Sequence, residues 1–346
     1  MFRWEAIQTR RPRATDSLMS CEILSPPTNF KAPMSRKIII DTDPGQDDAV
    51  VILLALASPQ ELEVMGIVAV AGNIGLHQNA INARKIVELA GRPEIPVYAG
   101  CSRPIRRTLV TAEHVHGVTG MDGPNLPEPK VELQPQHGVD FIIDTLMAAE
   151  PGTITLCTLG PLTNIAMALI KQPAIASRIA EIVMMGGAYF EVGNITPAAE
   201  FNIYVDPEAA DIVLRCGAPI TMLPLDVTHQ IQSTPQRLAA MLAIGNNSAT
   251  AAHAMLTFSE TFDLAKYGWA GAPLHDPTVI AWLLRPDLFA GRQCNVVVET
   301  SSELTVGMTV ADYWHVTSRD RNVNYLRNGD AEGFYALLLE RLARLP

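Results

Sequence analysis

The sequence has few cysteines, no long apolar run and no excess of basic residues. Its five cysteines are scattered over 346 residues and none belongs to a Cys-x-x-Cys pair, which argues against a disulfide framework or a zinc ribbon and favours reduced thiols in a cytoplasmic protein. No run reaches the roughly 18 apolar residues of a membrane span, so we expect no membrane association. The net charge of −10 argues against nucleic-acid binding and favours a small neutral or cationic ligand.

The first 34 residues differ in character from the rest. They hold a group of arginines and several prolines, show no usable periodicity, and end at a Met that directly precedes the first apolar run. We expect residues 1–34 to be an extension that is disordered or does not belong to the native product. Residues 35–346, in a chain with 48% hydrophobic and 18% charged residues, are expected to form one folded domain.

The most informative stretch lies just after this boundary, at 37–48. Three isoleucines predict a buried strand, Pro44 and Gly45 predict a turn, and the apolar run 49–57 predicts a buried helix. Four carboxylates, Asp41, Asp43, Asp47 and Asp48, therefore crowd one strand-to-helix connection. Like charges so close repel unless a cation lies among them, and oxygen ligands suit a hard divalent ion. The weaker alternative is that one Asp merely caps the helix.

Strand and helix patterns alternate along the rest of the chain, which predicts an α/β fold with a parallel sheet. Polar residues follow several predicted strands. Because the carboxyl ends of parallel strands share one edge of a sheet, we expect these residues to line one crevice. These residues are Asn73, Glu200, Asn202, His275 and Asp276. A calcium-like ion takes six to eight oxygens, and Asp43, Asp48 and Asp276 are the carboxylates we expect to bind it.

Residues 101–136 are irregular and proline-rich, as functional loops inside compact domains often are. They contain His114 and His116. A strand would place both on one face for a zinc ion, but no further His or Cys lies nearby. A histidine that contacts substrate from a lid is the favoured interpretation.

Seven short segments follow one another in the order 41–49 (DTDPGQDDA), 72–73 (GN), 114–117 (HVHG), 160–164 (GPLTN), 185–187 (MGG), 199–202 (AEFN) and 275–277 (HDP). Taken together, these segments resemble the nucleoside hydrolases of the inosine-uridine-preferring type. The resemblance implies a calcium-dependent N-ribohydrolase with an open, mostly parallel sheet flanked by helices, acting on ribonucleosides in nucleoside salvage. It also suggests a homodimer or homotetramer.

The resemblance further implies a role for individual residues. Asp43, Asp48 and Asp276 resemble the carboxylate ligands of Ca2+, and the backbone carbonyl of Leu159 resembles a further ligand. The family often has Thr at this last position, but a carbonyl ligand does not depend on the side chain. The residues expected to bind substrate are Asp47, Asn73, His116, Met185, Asn194, Glu200, Phe201 and Asn202, with Met185 beneath the sugar.

Cleavage of an N-riboside passes through an oxocarbenium-like sugar, which an anionic site stabilises. Asp43 is the expected general base for the attacking water, and His275 is the expected acid for the leaving base. The alternative for His275 is a structural role in orienting its loop.

Two other functions fit parts of the sequence. A haloacid-dehalogenase-like Mg2+ phosphatase would use Asp41 as nucleophile, but Pro44 and Gly45 break its motif and no later matching motif follows. A non-catalytic nucleoside- or ribose-binding protein would lack the acid and base. The base preference is left open, because residues 262–269, where the family's mobile base-contacting loop falls, match no subgroup. Trp269 in that segment either stacks on a purine or packs internally.

Overall fold

The computed structural model describes residues 35–346, which cluster as one compact unit. The expectation for residues 1–34 lies outside the described residues. Between residues 35 and 346, no helix is both long enough and apolar enough to cross a membrane.

Nine strands form one sheet, and two short strands form another. In the large sheet, neighbours follow the order β10-β9-β11-β6-β5-β4-β1-β2-β3. All pairs are parallel except those of β9 with β10 and β11. The eleven strands are β1 (Arg36–Thr42), β2 (Leu62–Ala69), β3 (Val97–Ala99), β4 (Ile154–Thr158), β5 (Ile179–Met185), β6 (Ile220–Leu223), β7 (Gln232–Ser233), β8 (Ala272–Pro273), β9 (Phe289–Val298), β10 (Thr309–Asp312) and β11 (Val323–Gly329).

Helices connect the strands and cover both faces of the large sheet. They are α1 (Gln46–Leu56), α2 (Leu76–Leu89), α3 (Glu113–His116), α4 (Gly138–Ala148), α5 (Thr163–Lys171), α6 (Phe201–Val205), α7 (Pro207–Leu214), α8 (Leu225–Thr228), α9 (Pro235–Leu242), α10 (Asn247–Tyr267), α11 (Pro277–Leu284) and α12 (Ala331–Leu342). Two short 3-10 helices, Pro173–Arg178 and Pro286–Leu288, precede β5 and β9.

The isoleucines of β1 show how the sheet divides the core. Ile38 and Ile40 belong to the apolar cluster on the face covered by α1, whereas Ile39 belongs to the cluster on the face covered by α4 and α5. Alternate side chains of a strand point to opposite faces, and all three isoleucines are fully buried. A continuous apolar run is the pattern of a strand that is buried on both sides.

The strand order reverses beside β1, which pairs with β2 on one side and with β4 on the other. The carboxyl ends of β1, β2, β4 and β5 therefore open onto one edge of the sheet at a topological switch point. Open α/β sheets bind their ligands in the crevice at such a point. The polar segments that follow these strands in the sequence are brought together here.

Most predicted elements are confirmed, with two differences among the longer ones. The helical segments predicted over 234–267 are α9 and α10, and Asn246 caps α10 by accepting from the N–H of Ala249. Strand β11 was not predicted. Helix α1 begins at Gln46 rather than at Ala49, so Asp47 and Asp48 lie in its first turn.

Candidate active site

A cleft of about 970 Å3, its open mouth included, lies at the carboxyl edge of the sheet. Most of the residues that the sequence predicts for the site line it, although they come from widely separated segments. They are Asp47, Asn73, His116, Leu159, Met185, Asn194, Glu200, Phe201, Asn202, His275 and Asp276. Asp43 and Asp48 do not line the cleft and are almost fully buried, with exposures of 1% and 0%.

The turn between β1 and α1 is held by the carboxylate of Asp48. One oxygen accepts from the backbone N–H of Gly45, the N-cap of α1, over 3.0 Å. The other accepts from the hydroxyl of Thr42 at the end of β1. The predicted capping alternative is therefore partly correct, since Asp48 satisfies a backbone donor at the helix start, where negative charge is also favoured.

Asp43 lies in a slot whose walls are backbone. Its Oδ2 accepts from the N–H of Asn73 over 2.7 Å, and its Oδ1 has no hydrogen-bond partner among residues 35–346. A β-carbon at Gly72 would lie 2.0 Å from Oδ2, and one at Gly160 would lie 2.2 Å from Oδ1. Only glycine at these two positions lets the chain approach the carboxylate so closely.

The carboxylates lie close together, as predicted, and their proximity and burial raise their pKa values. Ligand atoms of Asp47, Asp48 and Asp276 all lie within 4.8 Å of one another. Burial, with the charges of its neighbours, raises the pKa of Asp48 to about 6 and the pKa of Asp276 well above its ordinary value. Burial and the nearby Asp48 also raise the pKa of Asp43.

This cluster fits a hard divalent ion. Its oxygens belong to carboxylates that repel one another when ionised, two of them buried and one half-buried. Oδ1 of Asp43 is a buried acceptor without a donor among the described residues. Asp276 adjoins α11 at the predicted N-cap position, but its side chain makes no capping hydrogen bond. That carboxylate contacts Asp48 instead. The close group includes Asp47, which the sequence assigned to ribose rather than to metal.

The backbone carbonyl of Leu159 lies at the same edge, directly after β4. It accepts from the side-chain amide of Asn202 over 2.7 Å. The same amide lies 3.3 Å from the carbonyl oxygen of Met185 at the end of β5. Asn202 thus ties the ends of two neighbouring strands together and orients both carbonyl groups at the base of the cleft.

Glu200 is buried at the N-terminus of α6, where it accepts three backbone N–H groups. Oε1 accepts from Asn202 over 2.9 Å, and Oε2 accepts from Gly187 and Ile203 over 2.9 and 3.2 Å. Burial nevertheless raises its pKa to about 7. Nearby, Oδ1 of Asn194 accepts from the N–H of Phe201 over 2.9 Å, so the 193–202 loop presents its polar groups in a fixed arrangement.

His275 lines the cleft, and its Nδ1 lies 2.7 Å from the hydroxyl of Thr228 at the end of α8. Burial, with the charge of the neighbouring His229, lowers the pKa of His275 to about 3. The imidazole is therefore neutral near pH 7, and Thr228 fixes its orientation. Thr228 was not predicted, because no sequence pattern links it to His275, which lies 47 positions away.

His114 and His116 lie on the single-turn helix α3, so the strand geometry that the disfavoured zinc site requires is not found here. Among residues 35–346, the group with metal-binding geometry consists of carboxylates and includes neither histidine. Both line the cleft, as the favoured interpretation of a substrate contact requires.

Asp41 is structural. It is 1% exposed, and its Oδ2 accepts from the amide of Asn164 over 2.7 Å. The carboxylate is buried and engaged by Asn164, which disfavours the nucleophile role that the phosphatase alternative requires.

The C-terminal half of α10 forms the wall of the cleft opposite the strand ends, and this wall was not predicted. Its cleft-lining residues recur at intervals of three or four and are Leu256, Ser259, Phe262, Asp263, Lys266 and Tyr267. This helical spacing was the available signal. Residues 262–267, where the family's base-contacting loop was expected, therefore lie on a helix, as predicted for 234–267. Trp269 does not line the cleft but stacks on Tyr267, with ring centroids 4.4 Å apart.

Comparison with known proteins identifies the family. Residues 38–336 match the sequence model for "Inosine-uridine preferring nucleoside hydrolase". The chain belongs to this family. It is therefore a metal-dependent ribonucleoside hydrolase, which cleaves the N-glycosidic bond to release base and ribose, and the predictions of family and activity are confirmed.

Individual relatives match over nearly their whole length. A pyrimidine-specific ribonucleoside hydrolase, RihA, of Photobacterium profundum is 48% identical over 90% of this chain and 99% of its own. An uncharacterized protein of Schizosaccharomyces pombe is 55% identical over 90% of this chain and 100% of its own. The structure of a purine-preferring ribonucleoside hydrolase from Gardnerella vaginalis is 32% identical with a TM-score of 0.83, over 89% of this chain and 98% of that one. The predicted fold class is likewise confirmed.

Proposed function

We propose that the chain is a calcium-dependent ribonucleoside hydrolase that favours pyrimidine ribonucleosides. The observation that carries the metal assignment is the mutually repelling group of half-buried Asp47 with buried Asp48 and Asp276, with an oxygen of Asp43 beside it that has no partner among residues 35–346. An all-oxygen set that includes a backbone carbonyl suits Ca2+, which accepts many oxygen ligands in flexible geometry.

The proposed ligands are the carboxylates of Asp43, Asp48 and Asp276 and the carbonyl oxygen of Leu159. When bound, such an ion supplies a water of lowered pKa and neutralises part of the carboxylate charge. Asp47 then remains free for a ribose hydroxyl. Because Asp47 lies within the acidic group, it is placed for either a metal ligand or a ribose contact. Calcium binding and nucleoside binding, measured separately in an Asp47 variant, distinguish the two roles.

Asp43 accepts the proton of the attacking water in this proposal. Its slot between Gly72 and Gly160 allows little movement, so the acceptor oxygen is preorganised. Asn73, Asn194, Glu200 and Asn202 bind the ribose hydroxyls, while Met185 and Phe201 pack against the sugar. The concentration of negative charge stabilises the positive charge that develops on the ribosyl ring.

His275 assists departure of the base. The ring is neutral near pH 7, so it acts as an N–H donor held by Thr228 rather than as a stored imidazolium. The structural alternative for His275 remains testable, because it predicts equal losses on all substrates.

The pyrimidine preference rests on similarity. The relative named pyrimidine-specific is 48% identical, whereas the structure named purine-preferring is 32% identical. The decisive experiment measures kcat/KM for uridine, cytidine and inosine with added Ca2+. We expect both pyrimidine nucleosides to exceed inosine, and an inosine value equal to or above theirs contradicts the proposed preference.

We further propose that the enzyme is a homodimer or homotetramer in the cytoplasm. The four cysteines at 101, 157, 216 and 294 are unpaired, in agreement with a reducing compartment. Light scattering of the purified enzyme tests the oligomer, since a mass of one chain excludes it.

A further inference from the structure

Gln46, the first residue of α1, joins the metal-binding turn to the helix that carries His116. Its side chain is 1% exposed. The Nε2 group donates to the backbone carbonyl of His116 over 2.9 Å and to that of Asp122 over 3.1 Å. Its Oε1 lies 2.6 Å from Nδ1 of the His116 imidazole.

These three contacts allow one arrangement of protons. If the amide were reversed, its oxygen would face two carbonyl oxygens, and three acceptors would meet without a donor. The amide N–H groups must therefore face the carbonyls, which leaves Oε1 opposite Nδ1. An amide oxygen only accepts, so Nδ1 of His116 must carry a proton.

The remaining nitrogen of His116 is then a hydrogen-bond acceptor. Burial lowers the pKa of His116, which favours the neutral ring, and a neutral imidazole protonated at Nδ1 has a lone pair at Nε2. His116 lines the cleft. No group among residues 35–346 bonds to Nε2.

The surrounding backbone holds the ring in this place. A β-carbon at Gly45 would lie 2.6 Å from Nδ1 of His116, so the turn leaves room for the imidazole only because residue 45 is glycine. A second amide, Asn82, donates to the carbonyls of Pro44 and Thr119 over 3.0 and 2.8 Å. Asn82 ties the same loop to the same turn without contacting the ring.

We propose that Gln46 is a positioning residue that holds His116 in the Nδ1–H tautomer, so that Nε2 accepts a hydrogen bond from the bound nucleoside. The donor is a ribose hydroxyl or a base N–H, and both offer the same chemistry. The proposal rests on the proposed role of His116 as a substrate contact. It assigns Gln46 a part in the reaction that the adjacent carboxylates do not share.

The tautomer is tested without catalysis by 15N NMR of the histidine-labelled enzyme, with the His116→Ala variant for assignment. We expect a protonated Nδ1 and an unprotonated Nε2 in the wild type, and a changed tautomer ratio in Gln46→Met. A wild-type ring protonated at Nε2 alone overturns the proposal, even if the enzyme fails to act on uridine.

A kinetic experiment tests whether Gln46 contributes to the reaction. It compares kcat/KM of Gln46→Met with that of Asn82→Ala, the matched variant that loosens the same loop. Each is measured on uridine and on analogues that lack the 2′-, 3′- or 5′-hydroxyl or carry a methyl group at N3. We expect Gln46→Met to lose roughly tenfold in kcat/KM on uridine, about the value of one oriented hydrogen bond. The loss should vanish on the one analogue that lacks the donor, which identifies that donor.

Asn82→Ala is expected to cause a loss that is the same on every substrate. If Gln46→Met behaves in the same way, Gln46 only tethers the loop and the proposal is wrong. If Gln46→Met does not fold, the 15N NMR measurement on the wild type decides alone, since it needs no variant of Gln46. A protonated Nδ1 supports the proposal, and a ring protonated at Nε2 alone overturns it.

Discussion

The backbone N–H of Asn73 donates to Oδ2 of Asp43 over 2.7 Å, while the side-chain amide of Asn73 lies 3.2 Å from Oδ2 of Asp48. Asn73, in the segment that follows β2, thus bonds to two carboxylates from the segment that follows β1. The pairing of β1 with β2 brings these groups together. The relative positions of Asp43 and Asp48 are therefore fixed by Asn73 and by the pairing of β1 with β2.

The slot around Asp43 predicts an unusual sensitivity at Gly72. In Gly72→Ala the new β-carbon would lie 2.0 Å from Oδ2 of Asp43, so the carboxylate or the backbone must move. We expect kcat/KM to fall about 100-fold, because small displacements of reacting groups have effects of this size. The free energy of unfolding should fall by about 1–3 kcal/mol.

Gly75→Ala is the matched control, since no atom lies within 4 Å of its added β-carbon. Its activity should equal that of the wild type. A Gly72→Ala enzyme with normal activity shows that the position of Asp43 is not critical.

The crowded carboxylates predict opposite effects of Asp276→Asn on stability and on metal binding. Removing the buried charge of Asp276 removes its repulsion with Asp43, Asp47 and Asp48, so the metal-free variant should be more stable than the metal-free wild type by about 1–2 kcal/mol. Calcium should no longer raise its melting temperature. Asp144→Asn, at an exposed position, should change neither quantity, and a calcium-induced shift in Asp276→Asn equal to that of the wild type excludes Asp276 as a ligand.

Asp263 on the α10 wall gives a prediction about pH. Burial, with the charge of Asp47, raises its pKa to about 6 from an ordinary value of 3.8. The folded state therefore holds this proton more tightly than the unfolded state, and stability is lost as the pH rises from about 4 to 6. Since Asp263 is partly exposed, we expect Asp263→Asn to exceed the wild type by about 1 kcal/mol at pH 8 and by nothing at pH 4.

Urea denaturation across this pH range, with a chelator present throughout, measures the difference. A stability difference that is constant with pH, or one that is larger at pH 4, contradicts the raised pKa of Asp263.

His275 is tested by its substrate dependence. If its N–H assists departure of the base, His275→Ala should lose about 100-fold on a natural nucleoside and much less on p-nitrophenyl riboside, whose leaving group needs no proton. Thr228→Val should show the same pattern with smaller losses, because the ring keeps its donor but loses its orienting partner. Equal losses on both substrates support the structural role instead.

Local patterns account for the parts of the molecule that the sequence predicted. Ile38 to Ile40 marked a strand buried on both faces, and Asp276 followed by Pro277 marked the start of α11. The family resemblance brought Asp43 and Asp276 into one site although they lie more than 200 positions apart.

The missed features depend on tertiary contacts that leave no local mark. Thr228 matters because of one hydrogen bond to His275, and Gln46 matters because of its contact with a loop 70 residues later. The α10 wall was missed because the helix prediction over 234–267 did not show which face of the helix meets the cleft. Strand β11 was missed because its pairing with β6 and β9, rather than a clear alternation, defines it.

The central claim is that a metal ion bound by the buried carboxylates, together with Asp43, drives hydrolysis of the N-glycosidic bond. The most direct measurement is release of free base and ribose from uridine by the wild type and by Asp43→Ala, each with Ca2+ and with excess chelator. We predict release by the wild type with Ca2+, loss with chelator, recovery when Ca2+ is restored, and no release by Asp43→Ala in any condition. Undiminished release in chelator, or near-normal turnover by Asp43→Ala, would contradict the account.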